Sequence, residues 1–197
     1  MIDKYLNFND EIKLLFERFY ELHISAPINL TAIKGKEDFY IKHYLDSIYF
    51  FCNRWVKFDN LCDIGSGGGF PGMVVAMFYP ESGVFLVESI RKKADFLSNA
   101  ARDLGLRNVS VINDRIENLK GLSFDFFTAR GVSSVLDILK KSWNVSRETS
   151  SWLFYKGEKL QDELLEAEAF MRKNFLEAEH VRIEEPFSRS YCFIYRK

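Results

Sequence analysis

The sequence has no excess of charge of either sign and few cysteines. Its 197 residues include 27 lysines and arginines against 28 acidic residues, so the net charge is −1. A protein without a global positive field can contact nucleic acid only through a local basic patch. Its three cysteines show no Cys-x-x-Cys spacing. This excludes a disulfide framework and a cysteine zinc site, and it favours a reducing, cytoplasmic location.

Long hydrophobic runs are also missing. The longest uncharged stretch, residues 64–80, contains five glycines and two prolines, which is not the composition of a membrane span. The first residues lack a basic start followed by an apolar segment, so no signal peptide is predicted. The sequence therefore predicts a protein without a membrane partner.

Aromatic residues are abundant, at 16% of the chain with 19 phenylalanines, and hydrophobic residues make up 47%. A chain of this length buries about 70% of the surface that its unfolded form exposes, so one large packed core is expected. No exposed apolar stripe is evident, and we expect a monomer.

Hydrophobic spacing predicts the secondary structure. Helices are predicted over residues 9–24, 37–53, 90–104, 133–142 and 158–173, the last being a charged, solvated outer layer. Strands are predicted over residues 59–64, 83–87, 109–112, 124–128, 152–155, 178–184 and 191–195.

Alternation of strands and helices from residue 59 onward predicts an α/β fold with a mostly parallel sheet and helices on both faces. The last two strands are joined by only residues 185–190, too few for a parallel crossover, so this pair is predicted to be antiparallel. We place a boundary near residue 57. Residues 1–57 form a helical extension packed on the core, and residues 58–197 form the α/β domain.

The strongest motif is Asp-Ile-Gly-Ser-Gly-Gly-Gly-Phe-Pro-Gly at residues 63–72, between a strand and a helix. Glycines at this position allow positive φ and a close approach of a ligand to the main chain of residues 65–69. Pro71 suits the first turn of the following helix. A plain glycine-rich turn is the alternative interpretation.

Glu88 ends the next strand, 23 residues beyond Gly65. In an open α/β sheet it faces the first loop, where a carboxylate can accept both ribose hydroxyls of a nucleoside. A solvated glutamate or a helix N-cap is the alternative. A dinucleotide fingerprint would need glycine where Phe70 stands, and no Gly-Lys-Ser/Thr follows the glycines. An adenosine ligand without phosphate fits better, as in S-adenosylmethionine, and the pattern resembles the Rossmann-like class I S-adenosylmethionine-dependent methyltransferase fold.

Further segments make the resemblance specific. They are Asn-Leu-Thr-Ala-Ile at 29–33, His-Tyr-Leu-Asp-Ser-Ile at 43–48, Gly-Phe-Pro-Gly at 69–72, Glu-Ser-Ile-Arg-Lys-Lys-Ala-Asp-Phe-Leu at 88–97, Asn-Asp-Arg-Ile-Glu at 113–117 and Thr-Ala-Arg-Gly-Val at 128–132. Together, over about residues 25–160, the chain resembles the RsmG (GidB) family, bacterial methyltransferases of small-subunit ribosomal RNA.

The resemblance implies 7-methylation of one guanosine in 16S rRNA, within the small subunit or an assembly intermediate, with S-adenosylhomocysteine as product. It implies that the loop holds the methyl donor through Gly65 and Phe70. The exposed main chain predicted for this loop adds Gly67 and Gly69 as candidate cofactor-binding residues. Glu88 takes the acidic ribose role of the wider fold. Where this chain has Gly68, the family often has proline.

The resemblance also implies roles beyond the loop. Ile116 and Glu117 are expected beside the adenine. Arg130 is expected near the methionine end of the donor or the RNA, in a positioning role.

The chemistry is consistent with attack by guanine N7. This atom carries an exposed in-plane lone pair and needs no deprotonation, so in-line alignment suffices and no general base is required. The Asn/Asp-Pro-Pro-aromatic run expected for amine methylation does not follow the fourth strand, and neither does a nucleophilic cysteine. Two other functions stay open: a methyltransferase acting on a small molecule or protein, and a non-catalytic nucleotide-binding or dehydrogenase-like module.

His43, Asp46 and Ser47 share one face of the second predicted helix. We interpret them as a hydrogen-bonded network that closes the donor pocket, with His43 and Asp46 as candidate catalytic residues. A plain surface face is the alternative, whereas three residues on one helical turn rarely form a hydrolase triad. His23 and His180 show no metal-ligand spacing, and no metal is predicted.

Basic residues near the predicted site are candidates for RNA contacts. Arg91, Lys92 and Lys93 begin a helix, where cations oppose the dipole and so favour a partner such as RNA phosphate. Lys156 follows the fifth strand at the same edge of the sheet. A solvated face is the alternative for the first three. Further candidates for a basic rim are Lys34, Lys36, Lys42, Arg115, Arg130, Lys140 and Lys141.

Overall fold

The computed structural model describes residues 5, 6, 8–33, 35–54 and 56–197. Lys34, one of the residues predicted for a basic rim, lies outside them. Seven strands form one sheet with helices on both of its faces.

The helices and strands follow the predicted order. The helices are α1 (Asp10–Ser25), α2 (Lys36–Phe39), α3 (Asp46–Asn53), α4 (Gly72–Phe78), α5 (Arg91–Leu104), α6 (Val135–Ser142) and α7 (Leu160–Lys173). The strands are β1 (Asn60–Ile64), β2 (Gly83–Val87), β3 (Val109–Ile112), β4 (Phe124–Arg130), β5 (Ser146–Lys156), β6 (Leu176–Ile183) and β7 (Arg189–Arg196).

The strand order in the sheet is β3-β2-β1-β4-β5-β7-β6. Strands β1 to β5 pair in parallel, whereas β7 runs antiparallel to both β5 and β6. The predicted α/β architecture, with its antiparallel last strand, is therefore confirmed. The carboxyl ends of β1, β2 and β4 lie side by side, which is where an open α/β sheet binds its ligand.

Alternating side chains of the strands enter two separate cores, because successive residues of a strand point to opposite faces. On one face Leu61, Phe126 and Leu153 pack against α1, the segment around α3, α4 and α5. On the other face Phe127 and Trp152 pack against α6 and α7. Both faces of the central strands are buried, as expected for a parallel sheet.

The first helix belongs to the first of these cores. The Asn9 side chain caps α1 by accepting the Ile12 N–H at 2.8 Å. Phe16 and Phe19 are fully buried, and the ring of Phe16 stacks on Tyr44 at 4.3 Å. The helical segment thus packs on the sheet domain through shared aromatic residues; the boundary near residue 57 stays a prediction.

The structure differs from the predicted elements in three places. The predicted helix 37–53 is interrupted by a π-helical turn, Tyr40–Leu45, which contains His43 and precedes Asp46 and Ser47 on α3. Strand β5 begins at Ser146, because main-chain pairing with β4 extends it over polar residues that carry no strand signal. Pro71 precedes α4 and is not part of its first turn.

Among the described residues, no helix combines the length and the apolar character needed to cross a bilayer.

Candidate active site

The glycine loop, which we define as residues 65–72, turns sharply at the end of β1. The Gly65 N–H donates to the Val87 carbonyl at 2.8 Å, and the Gly69 N–H donates to the Ser66 carbonyl at 2.7 Å. Gly65 and Gly67 both have positive φ, +66° and +57°, a conformation that favours glycine. The loop therefore needs glycine for its own geometry as well as for main-chain access.

Asp63 anchors this loop from below. Its fully buried carboxylate accepts the Thr128 hydroxyl at 2.7 Å and the Gly72 N–H at 3.1 Å. Burial raises the pKa of Asp63 to about 6, while these hydrogen bonds act in the opposite direction. Asp63 is thus a structural support of the site. The sequence placed it in the motif without assigning it a role.

Glu88 meets the glycine loop as predicted. Its Oε2 accepts the Gly67 N–H at 2.8 Å, and its Oε1 accepts the Ile90 N–H at 2.8 Å. The carboxylate is buried. Each oxygen keeps a further acceptor position beside the main-chain N–H that it already binds.

The third strand contributes at the same edge of the sheet. The Asn113 side chain donates to the Glu88 carbonyl at 2.8 Å, which ties the ends of β2 and β3 together. Ile116 begins a short 3-10 turn and is buried, whereas the Glu117 carboxylate lies 4.0 Å from the Arg115 guanidinium. The expected adenine contacts of Ile116 and Glu117 stay a prediction.

Phe70 points away from the loop and into the helical segment. Its buried ring stacks on the His43 imidazole, with centroids 4.3 Å apart and planes 5° apart. The Arg130 guanidinium lies 5.3 Å from the same ring, within cation–π range. A contact between Phe70 and a ligand therefore involves its main chain, because its side chain is part of the core.

His43 is held in one tautomer. A guanidinium can only donate, so Nδ1 accepts from Arg130 Nη2 at 2.9 Å and the proton resides on Nε2, which faces the Thr31 hydroxyl at 2.7 Å. Burial lowers the pKa of His43 to about 2, and the nearby Arg130 charge acts in the same direction. His43 is neutral with its lone pair occupied, which is not the state of a general base.

Asp46 joins two arginines. Its fully buried carboxylate accepts from Arg130 Nη1 at 3.1 Å, from Arg189 Nε at 2.8 Å and from Arg189 Nη2 at 2.6 Å. The Tyr191 hydroxyl donates to it at 3.1 Å. Two guanidinium groups share one carboxylate, so the cluster carries a net charge of +1. Arg130 also links Asp46 to His43, whereas Ser47 Oγ is buried without a hydrogen-bond partner among the described residues.

A cavity of about 780 Å³ opens beside this cluster. We call it the arginine cavity. The residues that line it include Lys42, His43, Asp46, Arg130, Gly131, Val132, Ser133, Lys156, Glu163 and Arg189. The volume lies in the range of sites that take small ligands.

The predicted RNA-contact residues are divided between two places. Lys156 lines the arginine cavity, but its ammonium lies 2.7 Å from Glu163 Oε2 and its side chain is only 12% exposed. The described residues that line the cavity do not include Arg91, Lys92 or Lys93. Arg91 is exposed and pairs with Asp95 one turn further along α5, which supplies the partner that its position at the helix N-terminus favours.

The structure links the first helix to the loop through His23. The ring nitrogens of buried His23 lie 2.9 Å from the Phe19 carbonyl oxygen and 2.8 Å from that of Gly68. Burial lowers the pKa of His23. Over the part of the chain that the structure describes, no group of three or more His, Cys, Asp or Glu side chains could hold a metal ion.

Comparison with known proteins identifies the family. The model of the family described as GidB, rRNA small subunit methyltransferase G, matches residues 14–190. The chain is 37% identical over 166 residues to ribosomal RNA small subunit methyltransferase G of Francisella tularensis subsp. novicida, covering 84% of this chain and 75% of that protein. It is 34% identical over 193 residues to the protein of the same name from Carboxydothermus hydrogenoformans, covering 93% of this chain and 82% of that protein.

Solved structures agree on the fold. An O-methyltransferase from Bacillus cereus in complex with SAH superposes with a TM-score of 0.67 at 14% identity, over 100% of this chain and 95% of that one. The O-methyltransferase TomG from Streptomyces achromogenes, in complex with SAM, has a TM-score of 0.63 at 11% identity, over 100% of this chain and 94% of that one. These likenesses confirm the predicted class I methyltransferase fold.

The family match covers most of the chain, and the site described above lies within it. The resemblance predicted from the sequence motifs is thereby confirmed. The chain belongs to the GidB family, rRNA small subunit methyltransferase G, and is a methyltransferase.

Proposed function

We propose that the protein transfers a methyl group from S-adenosylmethionine to N7 of one guanosine in 16S rRNA. The observation that carries this proposal is the position of Val132, which packs on Gly65 of the glycine loop and also lines the arginine cavity. A donor on the loop and an acceptor in the cavity are then neighbours across residues 131–134. We propose that the enzyme acts as a cytoplasmic monomer on the small subunit or an assembly intermediate.

The donor side has the features that a sulfonium nucleoside requires. Gly65 and Gly67 present main chain at the carboxyl end of β1, whereas Gly69 is buried, and the Glu88 carboxylate retains acceptor capacity for ribose hydroxyls. Ile116 offers an apolar side chain at the end of the third strand, where an adenine can pack. These residues would hold S-adenosylmethionine, with Glu117 nearby.

The acceptor side has the features that a single nucleotide requires. The arginine cavity is about 780 Å³ in volume and carries the net positive charge of the Asp46, Arg130 and Arg189 cluster. Enzymes that modify a base take it out of the stack and into such a pocket. We propose that Arg130 orients the guanosine there, and that Arg91, Lys92 and Lys93 contact RNA outside the cavity.

The chain needs to supply alignment and exclusion of water, and no base. The N7 lone pair would attack the electrophilic methyl group that bound S-adenosylmethionine supplies, and the methyl–sulfur bond would break to release S-adenosylhomocysteine. His43, neutral and with Nδ1 occupied by Arg130, positions the guanidinium and does not remove a proton. Asp46 positions the same guanidinium by accepting from its Nη1.

The test is mass mapping of 16S rRNA after incubation with the purified protein and methyl-labelled S-adenosylmethionine. Free 16S rRNA, assembly intermediates and small subunits from a strain lacking the enzyme serve as parallel substrates. We expect label in a single 7-methylguanosine. Label on another atom or another RNA, or no transfer to any of the three substrates, would overturn the proposal.

A further inference from the structure

Residues 131–134 connect β4 to α6 and separate the two halves of the proposed site. A Cβ on Gly65 would lie 2.7 Å from Val132 Cγ2, so the valine side chain sits directly on the glycine loop. Gly131, Val132 and Ser133 line the arginine cavity on the other side. This connection therefore lies between the glycine loop and the arginine cavity.

Two side chains from other elements hold the connection. Lys156 Nζ, at the end of β5, donates to the Ser133 carbonyl at 2.5 Å and lies 2.7 Å from Oε2 of Glu163 on α7. The same Glu163 oxygen accepts the Val135 N–H at 2.8 Å. The ion pair thus binds one carbonyl and one amide on either side of Ser134, and we call this pair the clasp.

The clasp is neutral and largely buried. Its side chains are 12% and 21% exposed, and the two charges cancel. A second ion pair on α7, Arg172 with Glu168, is 79% and 57% exposed, and neither residue is among the described residues that line the cavity. The Lys156 ammonium is therefore directed to the main chain and to Glu163 and not to solvent.

We propose that Lys156 and Glu163 are positioning residues for methyl transfer, which hold residues 131–134 at the distance that brings acceptor and donor together. This inference rests on the proposed function. It replaces the RNA contact predicted for Lys156. When a change far from the reacting atoms misplaces them by about 1 Å, the rate can fall roughly 100-fold, so a released clasp acts on turnover more than on RNA affinity.

The experiment compares Lys156→Met, Glu163→Met and the double variant with the wild type. Turnover and KM for RNA are measured at several salt concentrations, with Glu168→Met as the matched control on α7. We expect each single variant to lower kcat by about 10- to 100-fold with KM and its salt dependence unchanged. The kcat of the double variant should be no lower than that of the less active single variant, because both changes release the same contact.

A phosphate contact gives the opposite pattern. Lys156→Met would then raise KM and reduce the salt dependence, while Glu163→Met would leave kcat unchanged, and this result would overturn the clasp. The exchanged pair Lys156→Glu with Glu163→Lys provides a further check, since it keeps the ion pair but places a carboxylate at the Ser133 carbonyl and an ammonium at the Val135 N–H. We expect it not to recover the kcat lost by the single variants, and full recovery would overturn the main-chain contacts as the basis of the clasp.

Amide hydrogen exchange tests the clasp independently of the proposed function. If the wild type methylates no guanosine, the proposed function fails, but faster exchange over residues 131–135 in both single variants would still support the clasp. Unchanged exchange there would refute it even if the wild type is active. Where a variant does not fold, Lys156→Arg, which keeps the charge, is measured in its place.

Discussion

The Gly67 N–H donates to Oε2 of Glu88 at 2.8 Å, so a hydrogen bond joins the main chain of the glycine loop to the carboxylate that follows β2. Glu88→Gln removes the charge and one acceptor oxygen from this junction. We expect the affinity for S-adenosylhomocysteine to fall about tenfold or more, as loss of a charge-assisted hydrogen bond predicts. Isothermal titration calorimetry measures it. Glu81→Gln, at the exposed opposite end of β2, should change nothing.

Arg130 contacts both His43 and Asp46 through separate nitrogens. Arg130→Ala should lower kcat by about 100-fold through loss of alignment, while Asp46 keeps Arg189 and the fold persists. Single-turnover methylation of 16S rRNA measures the effect. Arg130→Lys should not restore activity, because an ammonium lacks the two-sided fork. A folded Arg130→Ala enzyme with full activity would contradict the role of this residue.

Asp46 balances two partly buried guanidinium groups. Asp46→Asn should lower the free energy of unfolding by about 3–5 kcal/mol, because it leaves those charges without their partner. Denaturation in urea gives the value. Asp95→Asn breaks the exposed pair with Arg91 and serves as control, with a change of less than about 1 kcal/mol.

His43 should make the protein less stable in acid. The unfolded chain protonates this residue near pH 6.5, while the folded pKa is about 2, so the unfolded state binds more protons between these values. The free energy of unfolding should fall by up to about 1.4 kcal/mol per pH unit below about pH 6.5 from this residue. Asp63, whose folded pKa is raised to about 6, contributes with the opposite sign between about pH 6 and 4.

Urea unfolding of the wild type and of His43→Gln between about pH 5 and 7.5 tests this prediction. The Asp63 contribution is common to the two proteins and cancels in their comparison. Glutamine can accept from Arg130 and donate to Thr31 but does not titrate. The free energy of unfolding of the wild type minus that of His43→Gln should increase as the pH rises toward 6.5. Parallel curves would show that His43 does not remain neutral in the fold.

Gly65 combines a positive φ with close packing against Val132. Gly65→Ala should weaken donor binding about tenfold or more, since a side chain strains this backbone conformation and displaces the valine. Val132→Gly in the same chain removes the clash and should restore part of the affinity measured by calorimetry. Equal affinities of Gly65→Ala and the wild type would exclude the loop as the donor site.

Much of this site could be predicted from local sequence because it lies at the ends of strands that are neighbours in the sheet. The glycine loop and Glu88 directly follow β1 and β2, Arg130 is the last residue of β4, and parallel pairing brings these ends together. Their spacing carries the information without any knowledge of distant contacts.

Arg189 and Glu163 could not be predicted in this way. Arg189 meets Asp46 across 143 residues, and nothing in its local sequence distinguishes it from other strand arginines. Glu163 lies on a helix of mixed charge, where a solvated face is the ordinary interpretation. The π-helical turn Tyr40–Leu45, which contains His43 and ends directly before Asp46, has no sequence signal of its own.

The contact between His23 and Gly68 has a consequence for protein engineering. A Cβ at residue 68 would lie 3.2 Å from His23 Nε2 and 3.2 Å from the Leu30 carbonyl oxygen. The loop residue and the start of the chain are therefore matched to each other. A chimera that takes the glycine loop from a relative therefore needs the segment that contains His23 and Leu30 from the same relative.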